Sequence, residues 1–253
     1  MSAPTTGALA EVFGTWQGEG LHVGRPHLFV RIAGCGVGCR FCDTPDALRK
    51  PPSFEVRRRG SSQRYDNPID PAEAAAMVAE VADGDGPFHR VAVTGGEPLE
   101  QPEVLAGLLA GLTANGAPPI LLETAGTEVE ALTTIVDRVE TISMDIKLPS
   151  VARTRPAWEE HRAFLDVARG AQRELYVKAV VSDDVSREDW SRATALVAAA
   201  DVSIPFYVQP ETRRDGGLAA SPALLADLAG RARTDGLEDV RILPQVHKSL
   251  GIE

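Results

Sequence analysis

All three cysteines of the chain lie in one short segment, residues 34–44, with the sequence GCGVGCRFCDT. Cys35, Cys39 and Cys42 have the spacing C-x3-C-x2-C. Three closely spaced thiolates can hold three irons of a [4Fe–4S] cluster, whereas a cluster that only transfers electrons has four cysteines. The fourth iron would have no protein thiolate, so it could bind a substrate or a cofactor.

A zinc site is the alternative interpretation of this segment. Structural zinc is usually four-coordinate with cysteine or histidine ligands. Because the cysteines supply only three ligands, the fourth would have to come from one of five histidines: His22, His27, His89, His161 or His247. The usual zinc pattern is two separated pairs rather than one trio. The spacing therefore favours the iron–sulfur cluster, and Phe41, directly before the last cysteine, strengthens that interpretation.

The composition is that of an ordinary globular protein. With 253 residues, 43% apolar and 25% charged, we expect a single domain over residues 1–253. A net charge of −10 argues against general nucleic-acid binding, which needs a basic face. We expect no signal peptide in the opening MSAPTTGALAEVF and no membrane span, because no apolar run approaches about 20 residues. An odd number of cysteines in one cluster indicates a reducing compartment, so we expect a cytoplasmic protein.

Apolar, strand-like runs alternate with helix-period stretches along most of the chain. The first run, residues 27–33, leads into the cysteine segment, and six more runs end at Thr94, Thr124, Asp145, Val181, Gln209 and Leu243. Strands alternating with amphipathic helices indicate repeated βα units and a parallel sheet. We therefore predict an α/β fold, a partial, open βα barrel with mostly parallel strands, of about seven strands by this pattern.

Two segments do not fit this alternation. Residues 11–24, EVFGTWQGEGLHVG, are rich in glycine and are interpreted as a loop. Residues 45–69 are predicted to be an irregular insertion whose basic residues include Lys50, Arg57, Arg58, Arg59 and Arg64. A solvated loop is the favoured interpretation, and a lid or partner-facing patch is the alternative. A helix is predicted to begin after Asp70, with Pro71 in its first position.

Each predicted strand is followed by polar or glycine-rich residues. These strand ends are the cysteine segment and residues 94–98, 123–127, 143–147, 182–183, 209–211 and 245–248. In βα barrels the carboxyl ends of the strands carry the active site. Any one of these segments could be a turn or a helix cap, but seven in the same topological position predict one shared site.

Two motifs resemble those of the radical S-adenosylmethionine (SAM) enzymes. They are C-x3-C-x2-aromatic-C, with Phe41 as the aromatic residue, and Gly95-Gly96-Glu97-Pro98. The resemblance implies that SAM binds the open iron through its methionyl amino and carboxylate groups, with Phe41 near the adenine and residues 95–97 at the amino group. It further implies SAM contacts from Asp43, Ser143, Asp145, Lys147 and Gln209, with Lys147 neutralising a carboxylate.

Further segments are similar to the 7-carboxy-7-deazaguanine synthases, a family of queuosine and 7-deazapurine biosynthesis. They are WQGEG, CDT, ETAGT, SMDIK, VQPE and QVHK, and the resemblance runs from residue 11 to about residue 248. It implies a lyase that opens with hydrogen abstraction from carbon 6 of 6-carboxy-5,6,7,8-tetrahydropterin by a 5′-deoxyadenosyl radical, then contracts the ring and releases ammonia. A magnesium ion, a flavodoxin or ferredoxin reductant and a homodimer are also implied.

We predict substrate contacts from seven residues: Trp16, Gln17, Gly18, Glu19, Arg31, Thr94 and His247. The Thr44 hydroxyl, two residues after Cys42, is the predicted magnesium ligand, with a simple turn hydroxyl as the alternative, and no catalytic residue is predicted beyond the cofactor ligands. The guanidinium of Arg31 matches a carboxylate with two parallel hydrogen bonds. The alternative for this arginine, which lies within an apolar strand, is a pair with a nearby Asp or Glu.

This sequence departs from the family pattern in places. Gly36 and Gly38 stand where polar or apolar residues are frequent, and Ala125 stands where asparagine is common. In some members the C-terminal carboxylate lies near the substrate, and the corresponding tail here is SLGIE. Two other functions remain as alternatives: an activating enzyme that places a glycyl radical on a partner protein, and a zinc scaffold without catalysis.

Overall fold

The computed structural model describes residues 5–252. Within this range the chain forms one ten-stranded sheet with helices between the strands. The strands are β1 (Leu9–Trp16), β2 (Pro26–Ile32), β3 (Ser53–Arg58), β4 (Ser61–Asp66), β5 (Arg90–Gly95), β6 (Ile120–Thr124), β7 (Thr141–Asp145), β8 (Glu174–Val181), β9 (Phe206–Pro210) and β10 (Val240–Ile242). The helices are α1 (Pro71–Asp85), α2 (Pro102–Ala114), α3 (Val129–Ile135), α4 (Pro149–Ala152), α5 (Trp158–Gly170), α6 (Arg187–Ala200), α7 (Pro222–Thr234) and α8 (Val246–Leu250).

The sheet is an open barrel of mostly parallel strands, as predicted. Its strand order is β10-β9-β8-β7-β6-β5-β2-β1-β3-β4, and every neighbouring pair from β10 to β2 is parallel. β10 and β4 are its two edges and do not pair with each other. The seven strands predicted from the sequence are β2 and β5–β10. The predicted strand number was wrong because β1, β3 and β4 extend the sheet beyond β2.

The glycine-rich start of the chain was wrongly interpreted as a loop over its first part. β1 pairs antiparallel with β2, with Phe13 opposite Phe29. Gly14 lies inside this strand, and a Cβ there would come within 2.6 Å of the Phe88 ring. The glycine therefore reflects close packing of an aromatic ring on the strand and not a turn.

The predicted irregular insertion contains a β-hairpin. β3 pairs parallel with β1 and antiparallel with β4, and Gly60 turns the chain between them with φ +77°. Phe54 and Val56 are buried on one face of β3, with Tyr65 of β4 stacked on Phe54 at 5.7 Å. This alternation is the period of a half-buried strand, and it was obscured by the arginines that occupy the other positions.

α1 begins where the sequence predicts, and side chains cap both α1 and α7. Asp70 accepts hydrogen bonds from the backbone N–H groups of Ala72 and Glu73 at 2.8 and 3.3 Å, and it caps α1. Ser221 caps α7 by accepting from Leu224 N–H at 3.2 Å. No helix among residues 5–252 is long and apolar enough to cross a membrane.

The two faces of the sheet carry separate apolar clusters. The outer face packs against the helices in the main core. The inner face carries a smaller cluster of Phe13, Phe29, Ala92, Leu121, Tyr176 and Tyr207. The Phe13 and Phe29 rings stack at 5.3 Å, and the Tyr176 and Tyr207 rings meet edge to face at 5.6 Å. These side chains fill the lower part of the barrel, so a ligand can enter only above them, toward the carboxyl ends of the strands.

Candidate active site

One cavity lies at the carboxyl ends of the strands, above the aromatic side chains of the inner face. All of the site residues predicted from the sequence line it: Trp16, Gln17, Gly18, Glu19, Arg31, Cys35, Cys39, Phe41, Cys42, Asp43, Thr44, Thr94, Gly95, Gly96, Glu97, Ser143, Asp145, Lys147, Gln209 and His247. Six of the seven polar strand ends contribute to it. The exception is Ser182 and Asp183, which line a small neighbouring pocket with Arg40 and Glu211.

The cysteine segment crosses the mouth of this cavity. Its three thiols are half-buried and unlinked. Burial raises the pKa of Cys39 to about 11 and also raises that of Cys35. Such thiols are neutral without a metal, and coordination to a metal deprotonates a thiol outright. A free, reactive thiolate is therefore disfavoured at Cys35 and Cys39.

The spacing of the three sulfurs can be compared with the spacing that zinc requires. Tetrahedral zinc with Zn–S bonds of about 2.3 Å needs its sulfurs about 3.8 Å apart. Among residues 5–252, one group of three or more potential metal-ligand atoms lies within 4.8 Å of one another. It consists of Glu19, Asp43 and His247, without any cysteine. At least one pair of the three sulfurs is therefore more than 4.8 Å apart, which is wider than the spacing at a zinc site.

The two unusual glycines of the cysteine segment have local causes. The Gly36 N–H donates to Glu100 Oε1 at 2.7 Å, and a Cβ on this residue would lie 3.0 Å from the same oxygen. Gly38 has φ +66°, which a residue with a side chain adopts only with strain. These departures from the family pattern therefore fit the loop conformation of this chain.

The Gly95-Gly96 motif lies directly against the start of the cysteine segment. A Cβ on Gly95 would come within 2.0 Å of Ile32 O, and one on Gly96 within 2.1 Å of Gly34 O. The Gly96 N–H donates to Ile32 O and the Glu97 N–H to Gly34 O, both at 2.9 Å. The glycines allow this close backbone contact, which holds residues 95–97 beside the cysteines.

The Glu97 side chain ties the ends of β5 and β6 together. Its carboxylate accepts from Leu99 N–H at 3.1 Å, Thr124 Oγ1 at 2.7 Å and Ala125 N–H at 2.7 Å. Burial raises its pKa to about 7, although these three donors act in the opposite direction. Both oxygens are used within the protein, so a cofactor would meet the backbone of this segment and not its carboxylate.

One carboxylate oxygen and one amide oxygen at the ends of β7 and β9 are buried without a hydrogen-bond partner in the described chain. They are Asp145 Oδ1 and Gln209 Oε1. Orphaned buried acceptors are uncommon in native proteins, because each costs desolvation free energy. Both belong to the predicted SAM contacts, so the residues present fit a bound polar cofactor at this place.

Lys147 lies between Asp145 and the cysteine segment. Its Nζ is 2.8 Å from Asp145 Oδ2 and 5.3 Å from the centre of the Phe41 ring. Burial disfavours the ammonium, but Asp145 and Cys39 raise the pKa of Lys147. Lys147 thus forms an ion pair with Asp145, and its contact with SAM stays a prediction.

The remaining wall carries the predicted substrate residues in a hydrogen-bonded set. Gln17 Nε2 donates to Glu123 Oε1 at 2.9 Å, and Thr94 Oγ1 donates to Glu123 Oε2 at 3.1 Å. Glu19 pairs with Lys178 and accepts from Gln245 Nε2 at 2.7 Å.

The C-terminal segment covers this wall. Val246 N–H donates to Gly18 O at 3.0 Å. His247 packs so closely on Gly18 that a Cβ there would lie 2.0 Å from His247 Nδ1. The C-terminal carboxylate of Glu253 lies outside the described residues.

Arg31 lines the cavity, and it also forms an ion pair with a nearby carboxylate, which was the alternative interpretation of this residue. Its Nε donates to Glu11 Oε1 at 2.7 Å. An ion pair with a nearby carboxylate is therefore present, and the contact of Arg31 with a substrate stays a prediction.

Comparison with known proteins identifies the family. A family model described as the radical SAM superfamily matches residues 29–194. The chain is 35% identical to 7-carboxy-7-deazaguanine synthase of Geobacter sulfurreducens, with 96% of each chain covered. It is 32% identical to the enzyme of that name from Methanopyrus kandleri, with 97% of this chain and 94% of that one covered. The chain belongs to the 7-carboxy-7-deazaguanine synthase family of radical SAM enzymes.

Solved structures of radical SAM enzymes share its fold. QueE from Escherichia coli has a TM-score of 0.56 and 19% identity, and the match covers 96% of this chain and 95% of that chain. A radical SAM methyltransferase from Sphaerobacter thermophilus has a TM-score of 0.58 and 14% identity, covering 87% of this chain and 66% of that one. Both support the open barrel predicted from the sequence.

Three residues of this radical SAM site were not singled out from the sequence: Glu123, Lys178 and Gln245. Glu123 and Gln245 lie in polar strand ends that the sequence did predict to join the site. Lys178 carried a signal of its own, because it is a lysine inside the apolar run LYVKAVV. The same reasoning that selected Arg31 in β2 applies to Lys178 in β8.

Proposed function

We propose that this chain is a radical SAM carbon–nitrogen lyase that converts 6-carboxy-5,6,7,8-tetrahydropterin to 7-carboxy-7-deazaguanine with loss of ammonia. The observation that carries the proposal is that two sets of residues line one cavity. The cysteines and the predicted SAM contacts, the cofactor wall, line it together with Gln17, Glu19 and Arg31, the substrate wall. Hydrogen abstraction needs the reacting atoms held close together, and this arrangement would hold cofactor and substrate side by side.

The cofactor wall suits SAM bound at the open iron of a [4Fe–4S] cluster. When bound and reduced by one electron, this pair would supply the 5′-deoxyadenosyl radical chemistry that removes the hydrogen at carbon 6 of the substrate. Cys35, Cys39 and Cys42 would hold the cluster, and the backbone of residues 95–97 would accept from the methionyl amino group. The orphaned oxygens of Asp145 and Gln209 would accept hydrogen bonds from SAM.

The substrate wall suits a flat, acidic pterin. In the part of the chain that the structure describes, the terminal nitrogens of Arg31 have no hydrogen-bond partner, so they can take a carboxylate. Burial opposes ionisation of Glu19, but Lys178 lowers its pKa, so Glu19 is an ionised acceptor for pterin N–H groups. Burial lowers the pKa of His247, which is therefore neutral at pH 7 and can close the pocket without repelling Arg31.

Magnesium is part of the proposal through Thr44. Its Oγ1 lies 3.9 Å from Cys42 Sγ at the edge of the cavity. Glu19, Asp43 and His247 also come within 4.8 Å of one another, but Lys178 and Lys248 already neutralise the two carboxylates. Magnesium prefers oxygen ligands and keeps several waters. Thr44, the substrate and water are therefore the proposed ligands.

The partners follow from the family resemblance. We propose a flavodoxin or ferredoxin as electron donor, a homodimer, and a cytoplasmic location. The reducing cytoplasm suits three half-buried, unlinked thiols.

The proposed reaction is tested by its products. Protein reconstituted anaerobically with iron and sulfide, then reduced in the presence of SAM and 6-carboxytetrahydropterin, is expected to release ammonia and form 7-carboxy-7-deazaguanine. Tetrahydropterin without the 6-carboxylate is the control substrate. Consumption of SAM without any deazaguanine product would contradict the proposal.

Removal of the Thr44 hydroxyl is expected to weaken magnesium stimulation. In Thr44→Ala the proposed site loses one oxygen ligand, so the magnesium concentration that gives half-maximal turnover should rise about tenfold, the equivalent of 1.4 kcal/mol. Thr44→Ser keeps the hydroxyl and is the matched control. Cluster content should be unchanged in both variants. An unchanged magnesium response in Thr44→Ala would mean that the ion is held elsewhere.

A further inference from the structure

Glu11 lies between two arginines on neighbouring strands. Its Oε1 accepts from Arg31 Nε at 2.7 Å, and its Oε2 accepts from Arg57 Nη2 at 2.8 Å. Arg31 belongs to β2, Glu11 to β1 and Arg57 to β3, so three adjacent strands meet at this carboxylate. All three side chains are largely buried, with 16%, 25% and 30% of their surface exposed. Charge-assisted hydrogen bonds in such surroundings are stronger than those at an open surface.

The same three residues lie on the inner face of the sheet. Arg57 is the register partner of Phe13, whose ring belongs to the apolar cluster inside the barrel. The Arg57 guanidinium lies 4.5 Å from the centre of that ring, and the Arg31 guanidinium lies 5.6 Å from it. A stacked aromatic ring restricts a guanidinium to one plane. The hairpin β3–β4 thus contributes a charged residue to the support of the cavity.

The contacts leave one edge of Arg31 available. Glu11 engages only the Nε edge, and within residues 5–252 the two terminal nitrogens of Arg31 make no hydrogen bond. A free glutamate beside an arginine would favour the bidentate pairing with two parallel hydrogen bonds. Glu11 does not adopt it here, because Arg57 binds its second oxygen.

We propose that Arg57 and Glu11 are positioning residues that hold Arg31 by its Nε edge and keep its terminal nitrogens free for the substrate's carboxylate. The inference rests on the proposed function only in taking the substrate to be an acidic pterin. Arg57 itself does not line the cavity and would act through Arg31. Without Arg57, Glu11 could turn both oxygens onto Arg31 and compete with the substrate.

Selective loss of carboxylate recognition is the expected result of removing Arg57. The dissociation constants of two ligands, 6-carboxytetrahydropterin and 6-methyltetrahydropterin, are measured anaerobically on the cluster-loaded protein. In Arg57→Gln the constant for the carboxylated ligand should rise about tenfold, the equivalent of 1.4 kcal/mol. The constant for the neutral ligand should not change.

Arg58→Gln is the matched control on the same strand. Arg58 points to the other side of β3 and pairs with Glu80 of α1, with Nη1 at 2.9 Å from Oε1. Its replacement should leave both dissociation constants as in the parent. Arg57→Lys keeps a positive charge beside Glu11 and should bind the carboxylated ligand within about threefold of the parent, since a charged contact remains.

A cycle with Arg31→Gln tests whether Arg57 acts through Arg31. Once Arg31 is gone, adding Arg57→Gln should weaken binding no further. An undiminished Arg57 effect in that background would overturn the inference, as would an Arg57→Gln protein that binds both ligands like the parent. If the parent itself does not prefer the carboxylated ligand, the proposed substrate fails before Arg57 is considered, so the two failures are distinguishable.

Discussion

Replacement of Cys39 by alanine is expected to abolish both the cluster and the cleavage of SAM. Only three cysteines are present in the chain, and all of them lie in the segment at the mouth of the cavity. A site reduced to two thiolates loses the trio that defines an open-iron cluster. Iron and sulfide analysis after anaerobic reconstitution should fall to background, and 5′-deoxyadenosine formation should fall to the level of cluster-free protein.

Thr44→Ala is the natural control for the cysteine variant. It alters the same segment two residues after Cys42 but removes no thiol. It should load one cluster per chain and cleave SAM. A Cys39→Ala protein that forms 5′-deoxyadenosine at the parent rate would refute the assignment of the trio to the cluster.

Among the substitutions considered, replacement of Lys178 by methionine is expected to cause the largest decrease in the free energy of unfolding. Lys178 and Glu19 form an ion pair with only 7% and 15% of their side chains exposed. Removing one partner leaves a buried charge uncompensated, which typically costs 3–5 kcal/mol, so we expect about 3 kcal/mol for this partly exposed glutamate. Denaturant unfolding of the parent and the variant measures the difference.

The dependence on pH gives this prediction a second readout. In the parent, Lys178 lowers the pKa of Glu19 below 4.5. The stabilisation that the ionised Glu19 gives the folded state is therefore present above pH 4.5, and it is lost as the pH falls through the lowered pKa. In Lys178→Met the buried Glu19 lacks its cation, its pKa should rise, and the variant should lose stability as the pH rises above 4.5. The deficit of the variant should therefore be larger at pH 8 than at pH 5.

Two further variants are controls for the buried pair. Glu19→Gln combined with Lys178→Met removes both charges and should recover most of the lost stability. Lys248→Met removes a more exposed lysine that pairs with Asp43 at 2.9 Å, and it should cost less than about 1 kcal/mol. If Lys178→Met and Lys248→Met decrease the free energy of unfolding equally, the burial of the Lys178–Glu19 pair does not determine its contribution to stability.

The parallel part of the fold could be predicted from the sequence because each unit repeats a local pattern. An apolar run ending at Thr94 or Asp145, followed by an amphipathic helix, needs no distant information to be recognised. β1, β3 and β4 are different. Glu55 separates Phe54 from Val56, and Gly14 breaks the apolar pattern of the β1 sequence. These strands are stabilised by pairing with β2 and by the Phe88 ring, which are contacts between residues far apart in the sequence.

The residues that gather in the candidate site could be predicted, because the carboxyl ends of parallel strands lie at the same edge of the sheet. Parallel strands bring their carboxyl ends to one edge, so residues as distant as Cys35 and Gln209 were expected together, and both line the cavity. The pairings among side chains were not predictable. That Glu19 pairs with Lys178, and Glu11 with two arginines, depends on how the segment after β1 folds back into the barrel.

The central claim is that this cavity places carbon 6 of a carboxylated tetrahydropterin beside the SAM-derived radical. The most direct measurement uses substrate that carries deuterium at carbon 6, incubated with reduced, cluster-loaded protein and SAM. Mass spectrometry should find the deuterium in 5′-deoxyadenosine together with 7-carboxy-7-deazaguanine. 5′-Deoxyadenosine without deuterium, formed while the deuterated pterin stays unchanged, would contradict the account.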